Sequence, residues 1–530
     1  MSETKFDVIV IGSGIGGLSA ASVLSQHYGK KVLVLEQHGK FGGFTHAFKR
    51  KVKFHWDVGV HYIGDMMPDS PNRIFFDYVT GTNLLWQKMP DPYDVIMLPD
   101  FTFSFRVGKN NLLYDLIGSF SEEKNAIKKY FRDLHKVSMW FSRYAISGIL
   151  PKFLSPLGTM LRNPGQELAL LITKDYLDAN FKNEKLKALL TAQWGNYGLP
   201  PAKSAFVTHA LIVQHYFEGG WYPVGGAQNI ADNIKPLIEK NGGQLLNRHT
   251  VSEIIVKNNR AIGVKVLIGR EAPFEEKEFF ADKIISNTGA YNTYLKLLPE
   301  GVQEKTKKQV AEFPKGTSNV TLFLGLKEDP RKTGFNGENY WISTTYNHDQ
   351  LFEEKDNLFN GKASHCYLSF PSLKDPNSEN HTAEIIAFMN YEPFKDWAEK
   401  PFKNRGEDYE AIKERISNSL IDFVEERLPG LKDLIEFYEL GTPLTTEHYT
   451  NHHLGNIYGL PGIPDRFKMN WIQNRTPVKN LFLCGADTAM HGVVPSMYSG
   501  IIAALMAKGK LMDIIKIYKQ GKKLGTTSQG

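Results

Sequence analysis

The chain has 530 residues, of which 42% are hydrophobic and 23% charged, and its formal net charge is +6. This composition suits a packed core spread over roughly two to four structural units, and it excludes a disordered chain. The charge is too mild to point to nucleic acid as a partner, and the two cysteines, Cys366 and Cys484, are too few for a disulfide framework or a zinc cluster, so no metal is expected.

The N-terminus, MSETKFDVIVIGSG, lacks the layout of a signal peptide, and no stretch offers the ~20 apolar residues of a spanning helix. The first elements read strand, glycine loop, helix, strand: FDVIVI, GSGIGG, LSAASVLSQHY, KVLVLE. That is the opening of a βαβ unit. Gly12, Gly14 and Gly17 make G-x-G-x-x-G, with Gly16 inside the same loop. The first glycine permits a tight turn, the second lets the backbone approach a pyrophosphate, and the third lets helix pack on strand. The helix N-terminus offers free N–H groups and a partial positive charge to the phosphates. Glu36 closes the second strand, where it accepts hydrogen bonds from an adenosine ribose and repels a 2′-phosphate. Gly42 and Gly43 follow and permit a second close backbone approach. The glycine motif by itself does not choose between FAD and NAD.

From about Met66 to Pro200 aromatics, prolines and helical spacings dominate. SFSEEKNAIKKYFRDLHKVSMWFSRY predicts a helix with Ser119 and Glu122 as its capping box and Ile127, Phe131, Leu134 and Phe141 on one face. Residues 137–164 mix Trp, Phe and Leu with Arg143, Lys152 and Arg162. Two readings stand for them: an interfacial segment with its basic groups toward headgroups, or a helical pair packed on the core.

The α/β texture returns at about Gly225. AQNIADNIKPLIEKNGG predicts a helix closed by glycine, and QLLNRHTVSEIIVKNNRAIGVKVLI predicts strands with an Asn-Asn turn. The backbone near Val251 is placed to meet an adenine. DKIISNTGA is a further strand leading to a small-residue loop. A mixed region, Tyr291 to Thr445, holds a helix in which Ile412, Ile416, Leu420 and Phe423 share a face before Pro429-Gly430 ends it. In LFLCGADTAMHGVVPSMYSG an apolar strand delivers Asp487 at its tip, and a helix follows. FAD carries ribityl hydroxyls that NAD lacks, and a carboxylate at the end of a late strand accepts from them. The helix N-terminus faces the flavin pyrimidine edge, where its dipole favours the anionic reduced ring. The alternative for Asp487 is a plain N-cap. Together these features favour FAD. The expected fold class is α/β. A Rossmann-type FAD-binding domain is assembled from residues 1–65, 225–290 and 446–530, and a mixed α+β substrate-binding domain, residues 66–224 and 291–445, is inserted into it.

VIVIGSGIGGLSAASVL, VLVLEQHGKFGGFTHAF, WDVGVHYIG, WGNYGLPP, YPVGGAQNIADNI and LFLCGADTAMHGVVPSMYSG resemble the phytoene desaturase, carotenoid isomerase and retinol saturase group of FAD-dependent oxidoreductases. DVGVHYIG and the Gly-Gly-Trp-Tyr-Pro-x-Gly-Gly run are most similar to its retinol saturase (all-trans-retinol 13,14-reductase) branch. The resemblance implies that Gly12, Gly14, Gly17, Glu36, Gly43, Val251 and Asp487 contact FAD, and that Val494 offers backbone near the flavin ring. The implied reaction is saturation of one double bond in a conjugated, lipid-like polyene.

A substrate without ionised groups calls for an aromatic and aliphatic tunnel. Trp194, Tyr197, Tyr216, Trp221 and Tyr222 are candidates for its lining, with Trp140, Phe141 and Tyr144, though any one of them equally suits a core. His61 with Tyr62, then His491, are the candidate proton donors, with packing or cofactor positioning as the alternative role. No second dinucleotide motif is present, so electrons are expected from a docked nicotinamide, a quinone or a redox protein. The expected location is the cytoplasm, peripheral on the inner face of a membrane. Competing functions are a carotenoid cis-trans isomerase or phytoene desaturase on the same flavin, a flavin amine oxidase, and a non-catalytic FAD-stabilised binding protein.

Overall fold

The computed structural model describes residues 5–150, 155–270, 272–488 and 490–527. Phe6–Ile11 and Val32–Leu35 are short apolar runs without polar alternation, and both are buried on both faces. They pair in parallel, Val8 opposite Val32 and Ile11 opposite Leu35. Gln244–Leu246 extends the sheet beyond Val32–Leu35, also in parallel. On its other side Phe6–Ile11 meets the end of Glu275–Ser286, which takes Leu481–Leu483 as a further parallel neighbour. The earlier half of Glu275–Ser286 forms an antiparallel meander with Arg260–Ile268 and His249–Lys257. Asn258 and Asn259, both at positive φ, turn the hairpin between the last two; a two-residue turn of that hand favours Asn. One seven-stranded sheet thus draws its strands from residues 6–35, 244–286 and 481–483. The fold is α/β, with helices on the faces of this largely parallel sheet.

A second seven-stranded sheet runs in the order Ile435–Gly441, Asn319–Leu326, His381–Phe388, His365–Ser369, Asn339–Ser343, Asp94–Leu98, Phe101–Phe105. Its two faces follow from the period of two. Val320, Leu322 and Leu324, with Ala383, Ile385 and Ala387, join one apolar core. The helix Glu407–Arg427 lays Ile412, Ile416, Leu420 and Phe423 into it, the face its spacing predicts. The alternate residues, among them Thr321, Phe323, Ile386 and Phe388, face a chamber on the other side.

The helix expected after SFSEE spans Lys124–Ile149 and buries Ile127, Phe131 and Leu134, while Phe141 is half-buried. Its expected cap is not made. Ser119 ends the preceding helix, Lys109–Ser119, and Glu122 lies in a 3-10 turn. Oε1 of neighbouring Glu123 accepts the backbone N–H groups of Lys182 (2.7 Å) and Asn183 (2.9 Å), so a tertiary contact displaces the local one.

The helices Ile15–Tyr28 and Val493–Lys508 touch through backbone. A Cβ added to Gly500 would strike the carbonyl oxygen of Gly16. A Cβ on Gly16 would stand 2.6 Å from Asn287 Oδ1 and 2.9 Å from the Gly485 nitrogen. Segments far apart in sequence therefore share one seam that has no room for a methyl group. Gly500→Ala is expected to wedge the helices apart at a cost of about 1–3 kcal/mol, the usual range for overpacking. A lowered thermal midpoint is the expected reading, and an unchanged midpoint would show that the seam yields.

Candidate active site

A chamber of about 950 Å³ is walled by residues of both sheets. At one end the wall is backbone. Gly12, Gly14, Gly16, Glu36, Gly42, Gly43, Val251 and Asp487 all line it. Gly17 and Val494 do not. Gly17 presses on the Gly12 carbonyl, and Val494 is buried in the core that joins the two helices. Gly14 and Gly42 form a parallel bridge, which ties the first glycine loop to the second. The helix Ile15–Tyr28 opens at Gly14 and the helix Val493–Lys508 at Gly492, and neither has a side-chain cap. First-turn N–H groups of an uncapped helix need partners, and both termini lie on the chamber. Two positive helix ends on one cavity suit an anionic, carbonyl-bearing ligand.

Two carboxylates stand at this end. Glu36 Oε2 accepts from Ser13 N (2.9 Å) and Ser13 Oγ (2.6 Å), and Oε1 from His38 N (2.8 Å). Burial pushes its pKa up, and these bonds oppose the shift. Asp487 Oδ1 accepts Leu460 N and Oδ2 accepts Ala290 N, each at 2.7 Å. The plain N-cap reading of Asp487 fails, because the following helix starts at Val493 with Gly492 before it. Asp487 instead joins three separate segments at the chamber edge.

A second wall is polar beneath its surface. His61, between Phe54–Asp57 and Ile63–Gly64, lines the chamber with 19% of its side chain accessible. Its Nδ1 lies 2.8 Å from Oε2 of Glu384, whose side chain is 0% exposed. Behind them Lys374 Nζ donates to the His61 carbonyl (2.9 Å), Asn339 Oδ1 (2.5 Å) and Ser369 Oγ (2.6 Å). Burial brings the Lys374 pKa down to about 7 against the pull of Glu384, Asp94 and Asp57. Tyr62 is outside the lining. Its hydroxyl donates to Asp94 Oδ2 (2.9 Å), and its ring stacks on Tyr216 at 4.3 Å. Asp94 also accepts from Gln193, Asn339 and Trp341, and burial lifts its pKa to about 6. Tyr222 donates to Asp57, which burial lifts to about 7.

The remaining wall is aromatic. Trp194, Trp341, Tyr367 and Phe388 line it, with Trp194 stacked on Phe388 at 4.7 Å. Of the tunnel candidates the structure brings Trp194 to the chamber. Tyr197, with its hydroxyl 3.4 Å from His209 Nδ1, Tyr216 and Tyr222 stand behind the wall, and Trp221 sits in the strand Gly220–Pro223. Trp140, Phe141 and Tyr144 pack with one another, and Trp140 and Tyr144 also meet Phe467, away from the lining. His491 is buried beside Tyr458, neither ring nitrogen has a partner, and burial with the Arg466 charge brings its pKa down to about 3. Among the described residues no group of three or more His, Cys, Asp or Glu is placed to hold a metal. Sequence reasoning missed Glu384, Lys374 and Asp94. A faint signal existed for Glu384, the lone acid in the apolar strand HTAEIIAF.

A sequence model of the family described as flavin containing amine oxidoreductase matches residues 15–504. The chain is 34% identical to all-trans-retinol 13,14-reductase of Danio rerio, over 96% of this chain and 86% of that one. It is 26% identical to prolycopene isomerase 2, chloroplastic, of an Oncidium hybrid cultivar, over 94% of this chain and 83% of the other. In fold it is similar to cyclohexylamine oxidase from Brevibacterium oxydans, with a TM-score of 0.59, 15% identity, and coverage of 97% and 99% of the two chains.

The buried imidazoles set a pH limit on the folded state. Burial holds His209 and His491 at about 3, and His215, His348 and His365 at about 4. The unfolded chain protonates these rings from about pH 6.5 downward while the native chain does not, so their stability is full above that pH and is lost as pH falls toward 4. Asp57 and Asp94, raised to about 7 and about 6, act in the opposite sense but are fewer. Calorimetry is expected to show a melting temperature that drops from pH 6.5 to 4.5. A flat or rising trend would overturn the assignment of neutral buried rings.

Proposed function

The chain belongs to the flavin containing amine oxidoreductase family, and on that premise we propose that it saturates one carbon–carbon double bond of a conjugated isoprenoid with FAD as its cofactor. The observation that carries this reading is the chamber itself. A cradle of glycines and uncapped helix ends adjoins an aromatic wall that carries His61, with His348 and His365 packed on Trp194 in the same lining. Gly12, Gly14, Gly16 and the first turn of Ile15–Tyr28 would hold the pyrophosphate, with Gly42 and Gly43 beside it. Glu36 would take the ribose, the Val251 backbone the adenine, Asp487 the ribityl chain, and the Gly492–Val493 turn ahead of Val494 the pyrimidine edge. Bound and reduced, FAD supplies hydride to one carbon of the double bond. The residues of the chain do the rest. Trp194, Trp341, Tyr367 and Phe388 hold an apolar polyene and exclude water. His61 holds a proton at the chamber surface and gives it to the neighbouring carbon. Tyr62 supports that wall through Asp94, and His491, neutral and enclosed, packs beneath Tyr458.

An amine substrate is less well served. Lys374, the lysine behind the His61 wall, is turned from the chamber with its ammonium given to three acceptors. Anaerobic incubation of the dithionite-reduced protein separates the readings by product mass. All-trans-retinol is expected to gain two hydrogens. A cis-carotenoid returned isomerised at unchanged mass, or phytoene losing two hydrogens to the oxidised protein, would transfer the proposal to isomerase or desaturase.

For the route of such a substrate, the same proposal includes contact of the helices Lys124–Ile149 and Ser155–Arg162 with a membrane surface. Val137 and Trp140 are buried, so Lys124–Ile149 packs on the core, and Ser155–Arg162 packs on that helix. The outer side of the pair exposes Met139, Ile146, Leu157 and Met160, the last to 71%. Arg143 and Arg162 lie among them, and Lys152 falls outside the described residues. No helix among the described residues is long and apolar enough to cross a membrane. An apolar fringe with basic neighbours fits the interface of an anionic bilayer. Ile146→Asp with Met160→Asp is expected to abolish co-sedimentation with phosphatidylserine-containing vesicles. Wild type that stays in the supernatant would remove this part of the proposal.

A further inference from the structure

We propose that Glu384 is the positioning residue for His61: a buried carboxylate that fixes the tautomer of the ring and keeps a proton on it for delivery into the chamber. The inference rests on the reading of His61 as the proton donor.

Glu384 shares its strand face with Ile386 and Phe388, which both line the chamber. Strand alternation therefore aims its side chain at the cavity. It does not reach it, because the His61 ring stands over the carboxylate at 2.8 Å. The contact is close but off the line of a straight hydrogen bond, and no other donor reaches either Glu384 oxygen. A fully enclosed carboxylate without donors carries a large desolvation penalty. One proton shared with the ring relieves it, wherever along the pair that proton resides. Hydrogen bonds of this kind are commonly loose before substrate arrives.

The ring has two edges with separate fates. Nδ1 is enclosed against Glu384. The accessible edge therefore carries Nε2 to the chamber. The backbone at His61 is pinned as well, because its carbonyl accepts from Lys374 Nζ at 2.9 Å. The charged and titratable groups packed around the ring are Glu384 and Lys374 from the second sheet and its connections, Tyr367 with its ring 5.6 Å away, and, one layer deeper, Asp94 and Asp57. Lys374, Asp94 and Asp57 form one buried polar layer beneath the imidazole, with Glu384 against its edge.

The step balances as follows. The proton would leave His61 Nε2 and form a C–H bond at one carbon, and the hydride that FAD would supply when bound and reduced forms the other. The π pair is consumed, and the two electrons the substrate gains are those the hydride carries. Solvent then returns a proton to Nε2.

Nitrogen-15 spectra of the histidine-labelled holoenzyme test the pairing apart from turnover, with His61→Gln used to assign the signal. The neutral ring of the wild type is expected to carry its proton on Nδ1. A ring protonated on Nε2 with Nδ1 bare would overturn the proposal without recourse to any variant at 384. In Glu384→Gln the His61 ring signal is expected to respond at lower pH than in the wild type, the direction in which removal of an opposite charge acts. Product formation is expected to fall about 10²-fold or more at unchanged flavin absorbance and KM, with its pH limb shifted in the same direction, and Glu384→Asp is expected to restore part of it. Ring titration and pH profile both unchanged in Glu384→Gln would sink the role of Glu384. Absence of a mass gain in wild type would remove the saturase reading, while the nitrogen spectra would still decide the pairing.

Discussion

Backbone meets backbone where Gly500 presses on Gly16, whose other side meets Asn287 and Gly485, and the chamber depends on that contact. Side chains at those positions would hold the two helices apart. Without them the N-termini of Ile15–Tyr28 and Val493–Lys508 converge on one volume, and both remain uncapped. The strands Phe6–Ile11, Glu275–Ser286 and Leu481–Leu483 are hydrogen-bonded side by side at the same place, so the seam is also the registration point of the first sheet. A ligand that satisfies both helix ends is thereby gripped by segments nearly five hundred residues apart. Asp487 reinforces the grip by accepting from Leu460 and Ala290.

What was legible in the sequence was local. The glycine loop, the Asn258-Asn259 turn and the apolar stripe of Glu407–Arg427 each depend on a few neighbouring residues, and each formed as its pattern implies. Ser119 shows the limit. Its spacing to Glu122 fits a capping box, yet the chain breaks one residue later, and Glu123 turns to a loop some sixty residues on. The same limit governs the reactive wall. His61 stood out because a histidine follows a strand end. Glu384 and Lys374 became visible only when the strand His381–Phe388 and the short helix Pro371–Lys374 brought them beneath it. Tyr62 and Tyr222 illustrate the reverse. Residue type suggested a proton donor for the first and a tunnel wall for the second, but each hydroxyl found a buried carboxylate and drew its ring out of the chamber.

The two ends of the cavity obey different electrostatics. The glycine end is positive by virtue of peptide dipoles, which no change of pH can remove. The wall under His61 is negative by virtue of side chains whose proton occupancy varies, with Asp94 brought to about 6, Asp57 to about 7 and Lys374 to about 7 by burial. Fixed dipoles suit holding a nucleotide. Adjustable charges suit moving a proton. The aromatic wall between them keeps water from short-circuiting either task.

Leu481–Leu483 lies against Glu275–Ser286, inside the first sheet's parallel array, yet it belongs to the last tenth or so of the polypeptide. Synthesis runs from the N-terminus, so the ribosome has released roughly nine-tenths of the chain before the nucleotide cradle can close. Until then the glycine loop faces an unfinished edge, and the second sheet, complete by residue 441, waits on a partner. A chain terminated before Leu481 therefore keeps the first glycine loop and Glu36 but lacks Asp487 and the second helix end.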